Sequence, residues 1–363
     1  MSGPSLSGIF SSLYTRGAHY GALGLAMFSL SFQGCADPTS NSGLNSLTNG
    51  AYLYIASGAC YAGGATVSTG NATIAKYSLS TGEFVSLVLD YNNRGNNDQP
   101  ASISRFGSDQ FIVAVENTAG RRLDIVHRNG TGLMTYITHA TALNQALRYV
   151  NVLADGSVLV SKTSAIEKFS AARNRVTQGA SPFVSNPQGA CATSSTQMTS
   201  NHVLPGGLIV YTHAAASPNN QIGVISATGY AAPADCLAAQ TAPDAAALPT
   251  SALYHPQGRK LLVAYGSATA SANYIYSYDI NLSTGAISNP VEAFADYNVV
   301  RGPTHMKIDP DTGAIYVANG ASVLNNIEKF TLDSDGTLNK SGSVPFIASS
   351  IHTRCISSLE IAP

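Results

Sequence analysis

Six short apolar runs recur along the chain, each entered from a turn: 51–57 (AYLYIAS), 110–116 (QFIVAVE), 157–162 (SVLVSK), 207–213 (GLIVYTH), 260–266 (KLLVAYG) and 314–320 (AIYVANG). Their first residues, 51, 110, 157, 207, 260 and 314, lie 59, 47, 50, 53 and 54 positions apart. Each run is followed by a segment that alternates apolar and polar residues into a second turn, such as NYIYSYDINLSTGAI and NNIEKFTLDSDGTL. Alternation with period two is the pattern of a half-buried strand. In five of the six copies a glycine (Gly82, Gly132, Gly229, Gly285, Gly336) stands where a tight hairpin wants positive φ. A further strand precedes each apolar run, clearest in GPTHMKIDPDTG and LPTSALYHPQG.

The unit is therefore four antiparallel strands in about 50 residues, the period of a propeller blade. The last segment, HTRCISSLEIAP, has the form of a first strand with nothing after it, while NGAYLYIAS at the start lacks one. The two ends complete one blade between them. The expected fold is all-β: a six-bladed β-propeller over residues 49–363, with seven blades as the alternative.

Composition adjusts this picture. Charge is nearly balanced, 19 basic against 20 acidic residues, so there is no electrostatic footprint for nucleic acid. Charged residues are 11% of the chain, about half the usual share; Ser, Thr, Asn and Gln must form the polar surface, as in many exported β-proteins. Residues 21–32 (GALGLAMFSLSF) follow Arg16 and His19 and are too short to span a bilayer, which needs ~20 residues, but they suit a signal-peptide core. Cys35 follows Gly34 and opens a Ser/Asn-rich stretch. The expectation is a lipoprotein-type signal over 1–34, lipidation at Cys35, a tether over 35–48 and a bacterial cell-envelope location.

Export leaves Cys60, Cys191, Cys236 and Cys355 in an oxidising compartment. Cys355 opens the final strand and Cys60 follows the strand that should lie beside it, so a Cys60–Cys355 disulfide is expected to staple the ring. Cys191 and Cys236, both expected on loops of one face, form the second pair. No C-x2–4-C spacing suggests zinc.

Two stretches, GPTHMKIDPDTGAIYVANG and LYHPQGRKLLVAYG, each with the strand after it, resemble the lactonase-like β-propellers, including those with YVTN-type repeats; Tyr316–Asn319 reads YVAN. The resemblance is good over about 245–340. Relatives of this kind are mostly seven-bladed. Some hydrolyse lactones, some cyclise substrates, and many exported ones bind partners. The shared motif covers scaffold positions, so no catalytic residue carries over.

Standard catalytic signatures are absent: no G-x-S-x-G, H-E-x-x-H, C-x-x-C or Gly-Lys phosphate loop. DSDG at 333–336 begins like a calcium loop, but the twelfth position is Val344, and turn chemistry accounts for it. Neither cofactor nor metal is expected. Candidate binding residues come from position alone: Gln99, Arg148, Arg301, His305, His352 and Arg354 fall near the starts of the first strands, which should converge on a central channel. Arginine forks there would suit a carboxylate, a phosphate or an acidic peptide. His202 and His255 are expected on solvated turns of the other face, and His127, with Arg121, Arg122 and Arg128, on a charged outer edge. Loops 61–71, 185–195 and 234–249 are expected to crowd one face. The leading expectation is a non-enzymatic, lipid-anchored binding or scaffold module for a protein or glycan partner, monomeric or part of a surface assembly. The alternative is a lactonase-like hydrolase with an Arg/His-lined central pocket.

Overall fold

The computed structural model describes residues 50–62, 65–92, 98–117, 120–129, 134–139, 145–163, 165–172, 175–178, 184–185, 198–214, 220–226, 236–267, 272–320 and 324–363, with the side chains of 59–70, 134–139, 171–178, 184–185 and 236 left aside. The expected signal, Cys35 and the tether lie outside these residues.

Blade one holds β1 (Tyr52–Ala62), β2 (Ala65–Ser78) and β3 (Phe84–Asp90); blade two holds β4 (Gln99–Phe106), β5 (Gln110–Glu116), β6 (Arg122–Arg128) and β7 (Met134–His139). Blade three holds β8 (Leu147–Val152), β9 (Val158–Lys162), β10 (Ala165–Ala172) and β11 (Arg175–Gln178), and β12 (Val184–Ser185) also pairs with β10. Blade four is β13 (Met198–Val203), β14 (Ile209–His213), β15 (Gln221–Ile225) and β16 (Cys236–Thr241). Blade five is β17 (Leu248–His255), β18 (Lys260–Gly266), β19 (Tyr274–Ile280) and β20 (Ile287–Phe294), and blade six is β21 (His305–Ile308), β22 (Ile315–Ala318), β23 (Ile327–Leu332) and β24 (Leu338–Lys340). The last strand, β25 (Ile356–Ala362), pairs antiparallel with β1 and completes blade one as β25-β1-β2-β3. The count is six, as the repeat implies, and not seven.

The six apolar runs become the second strands β1, β5, β9, β14, β18 and β22. They are buried because each blade is covered on both faces by its neighbours. The core is correspondingly divided into one apolar cluster per blade junction. Tyr54 and Ile74 of blade one pack with Phe111 and Val113 of blade two, and the series ends where Tyr316 and Ile327 of blade six meet Ile55 and Leu359 of blade one. That last junction closes the ring.

Two expected loops are strands. Residues 236–241 form β16, the outer strand of blade four, and β1 and β2 run on as a hairpin past the start of β25, with Ala59 opposite Thr69 and Cys60 opposite Ser68. The charged outer edge around His127 also differs from expectation. β6 is a third strand covered by β7, and the Arg122 guanidinium is buried between the carboxylates of Asp98 and Asp124, which hold it firmly charged against the cost of burial.

Candidate functional site: the axial mouth

The innermost strands all begin at one end of the ring, and near that end the ladder slips by one residue. The shifts lie between Pro100 and Ser102, Leu147 and Tyr149, Met198 and Ser200, Pro249 and Ser251, and on the β25 side between Ile356 and Ser358. A bulge takes one residue out of the ladder and re-aims its side chain. Ala101, Arg148, Thr199, Thr250 and Ser357 are the residues so released, and Thr304 holds the same place ahead of β21.

Arg148, Tyr149, Thr199, Thr250, Thr304 and Ser357 line a cavity of about 20 Å³ at this mouth, room for about one water molecule. Each threonine and serine hydroxyl of the wall donates to a carbonyl: Thr199 Oγ1 to Pro249 O (2.8 Å), Thr250 Oγ1 to Ala264 O (3.2 Å), Thr304 Oγ1 to Ile356 O (2.7 Å) and Ser357 Oγ to Pro100 O (2.7 Å). A hydroxyl has one proton to give. These four hydroxyls are thus left with acceptor lone pairs, and the Arg148 guanidinium is a charged donor beside them.

The next residue inward differs between blades in an informative way. Four are serines whose Oγ accepts an amide N–H from the next blade: Ser358 from Ile103, Ser102 from Val150, Ser200 from Ala252 and Ser251 from Met306, at 3.1–3.3 Å. The other two are Tyr149 and His305, which come from blades three and six, opposite each other in the ring. Their rings stack at 4.9 Å and 12° across the axis and plug the channel. Burial, with the Lys307 and His202 charges adding, holds the His305 imidazole down to about 3 and therefore neutral. Its Nδ1 has no hydrogen-bond partner among the described residues. Burial raises the Tyr149 phenol, and the Glu360 carboxylate adds to the shift. Lys307 of blade six reaches Glu360 of blade one at 2.8 Å, and His202 is depressed to about 4 by burial and then by Lys307.

Of the six residues expected around the channel, Arg148 lines the mouth and His305 forms half of the plug. Gln99 heads β4 with its Oε1 buried but does not line the cavity. Arg301 lies 4.5 Å over the Tyr297 ring, outside the cavity lining. His352 stacks on Phe84, at the start of the outermost strand of blade one (4.8 Å, 8°), and the Arg354 side chain is exposed. The chain between β24 and β25 crosses the whole width of blade one, which is why closeness to Cys355 in sequence misplaced both. His202 is corrected as well: it sits on β13 among the axial groups. His255 is buried, with Nδ1 accepting from Gly258 N–H and Nε2 donating to Gly313 O, both at 3.0 Å. Tyr149, His202, Lys307 and Glu360 were not anticipated. Aligning the six equivalent positions, five of them at bulges, as A-S-I, R-Y-V, T-S-N, T-S-A, T-H-M and S-S-L would have exposed Tyr149 and His305 as the two breaks in a serine ring.

Cys355 is buried at φ +58°, its N–H bonded to Asn325 Oδ1 and its carbonyl to Gly58 N–H, and its sulfur is disulfide-bonded. The Cys60 side chain and Cys191 lie outside the described residues. Cys236 opens β16 opposite Ile225, at the blade end away from the mouth rather than on a mouth loop. At DSDG, Asp335 Oδ1 accepts Thr337 N–H at 2.9 Å, the bonding of a turn.

No protein-family model matches the chain, and no curated protein matches it. Solved structures do. A protein from Lactobacillus plantarum is 16% identical over 81% of this chain and 82% of its own, with a TM-score of 0.57. The Pseudomonas aeruginosa periplasmic gluconolactonase PpgL is 12% identical over 86% of this chain and 99% of its own, at 0.54. A Bacteroides caccae protein of unknown function is 15% identical over 86% and 98%, also at 0.54. The likeness is one of fold. These neighbours support a β-propeller architecture.

Proposed function

We propose that the protein is a lactonase-like hydrolase of the cell envelope whose mouth takes a small polyhydroxylated ester such as a sugar lactone. The observation that carries this reading is the chemistry of the mouth: a guanidinium donor among threonine and serine oxygens that have already spent their protons. Sugar hydroxyls are the donors such a wall lacks, and a guanidinium suits a carbonyl oxygen that becomes anionic as water adds. His305 sits beneath, neutral, but with a pKa of about 3 it has little drive to take a proton. Polarisation by Arg148 therefore carries most of the rate. Likeness in fold to a periplasmic gluconolactonase supports the reading, as do the export signal and lipidation at Cys35 read from the sequence.

The test is hydrolysis of gluconolactone followed against its spontaneous rate. Arg148→Ala is expected to lower kcat/KM by about 10²- to 10³-fold with the melting temperature retained. An unaltered rate in a folded Arg148→Ala variant, or no rate above background in the wild type, overturns the proposal.

The small cavity and the weakly basic imidazole favour a second reading, a non-enzymatic binding module for a protein or glycan partner at the envelope, monomeric or part of a surface assembly. Retained glycan or partner binding without hydrolysis would support it. In either reading, we assign Cys60 as the partner of Cys355.

A further inference from the structure

A second cluster of chemistry lies between blades one and two, at the end of the ring away from the mouth. In blade one, Glu360, Tyr54 and Lys76 stand opposite one another on β25, β1 and β2, so they share a face. That face meets blade two, because the Tyr54 ring packs on Phe111 of β5 at 4.9 Å. Blade two adds two arginines. Arg128 at the end of β6 donates from Nη1 to the Tyr54 hydroxyl at 3.2 Å, and Arg105 near the end of β4 donates from Nε to Gly107 O at 2.9 Å. Lys76 Nζ lies 3.4 Å over the Tyr52 ring.

Three cations thus converge on one pair of tyrosines, and none of them makes a salt bridge among the described residues. The nearby carboxylates are committed or turned outward: Glu360 pairs with Lys307 at 2.8 Å, and Asp109, half exposed, faces the His127 ring at 3.9 Å. Arg105 is only 7% exposed, and its Nη1 has no hydrogen-bond partner among the described residues. A buried charged donor left unmatched is costly. Burial loosens the hold of Lys76 on its proton and repulsion from Arg128 adds to it; in Arg105 burial acts the same way and outweighs the opposing pull of the Glu360 carboxylate, with Arg128 again adding to the loss. An anion seated among them would relieve both costs.

We propose that this cluster binds a tetrahedral oxyanion of the phosphate type, either free or as part of a larger molecule. Arg105 offers its unmatched Nη1, Arg128 offers the N–H groups not already given to the Tyr54 hydroxyl and to Ser108 O (3.4 Å), and Lys76 supplies a point charge at the half-buried rim. The site is separate from the mouth, and the proposal does not depend on whether the mouth is hydrolytic.

Titration calorimetry with inorganic phosphate at fixed ionic strength tests it. The wild type is expected to bind phosphate and not chloride, with affinity falling as salt is raised. Arg128→Gln is expected to weaken binding more than tenfold and Lys76→Gln severalfold, with Lys76→Gln keeping the comparison valid if an arginine variant fails to fold. Cosedimentation with phosphatidylglycerol vesicles, against phosphatidylcholine, separates the sources. Vesicle binding lost in the variants, without free-phosphate binding, supports the site with a lipid headgroup as its ligand. Absence of both, or equal binding in wild type and variants, overturns the proposal.

Discussion

At the residue scale, the axial plug carries a consequence for pH. An imidazole has an ordinary pKa near 6.5 in the unfolded chain, whereas His305 and His202 are held down to about 3 and about 4 in the fold. Above pH 6.5 both states are neutral and neither residue contributes. As pH falls below 6.5 the unfolded chain takes up protons that the native one refuses, so stability declines, by about 1.4 kcal/mol per pH unit for each imidazole. The loss continues until the native pKa is reached. Urea unfolding between pH 7 and pH 4 checks this: the slope should flatten in His202→Asn and flatten further with His305→Asn added. An unchanged slope would mean that both imidazoles reach water in the native state. The same depression predicts that no limb near pH 6.5 appears in the pH–rate profile of the wild type.

At the element scale, the blades were readable and the site was not, for one physical reason. Strand identity follows from period-two alternation, which survives small errors of alignment; the runs at 110–116 and 260–266 became β5 and β18 residue for residue, and β22 lies inside the run at 314–320. Channel identity depends on register, and a slip of one residue turns a side chain to the other face. Every innermost strand but β21 slips by one near its start, so His202 could not be told from a surface residue without the bulges. β16 was missed because CLAAQT is small and polar rather than alternating. Gly58 and Gly320, at the ends of two apolar runs, have a packing role that the turn pattern does not show. A Cβ on Gly320 would meet Ile356 O at 1.9 Å and Thr304 Oγ1 at 2.6 Å, and one on Gly58 would meet Pro100 O at 2.4 Å. Each lets the end of a second strand approach the next blade's innermost strand. Gly320→Ala is therefore expected to cost about 1–3 kcal/mol by overpacking. Gly120→Ala, with nothing within 4 Å, should be close to neutral in the same urea melts.

At the scale of the whole molecule, the ring is only as secure as the blade shared by its two ends. β25 is buried along all seven residues and is held to β1 through the register Tyr52 opposite Ala362 to Ser57 opposite Ile356. The Ser357 hydroxyl reinforces the seam, donating to Pro100 O at 2.7 Å with Ala56 O also within reach at 3.1 Å. Cys355 stands at the head of this strand, beside Gly58, in a left-handed conformation that a non-glycine residue adopts only under constraint. With Cys60 as its partner, the disulfide spans nearly the whole propeller. The unfolded chain then loses the entropy of a very long loop, worth roughly 5 kcal/mol on chain-entropy grounds. Cys60→Ser and Cys355→Ser should each lower the unfolding free energy by a similar amount, and the double variant by no more than either alone, because both remove one bond. Reductant should lower the wild type to the level of the variants and leave the variants unmoved. If Cys60→Ser leaves stability unchanged while Cys355→Ser does not, Cys355 is bonded elsewhere, and the closure of the ring rests on β25 and its serines alone.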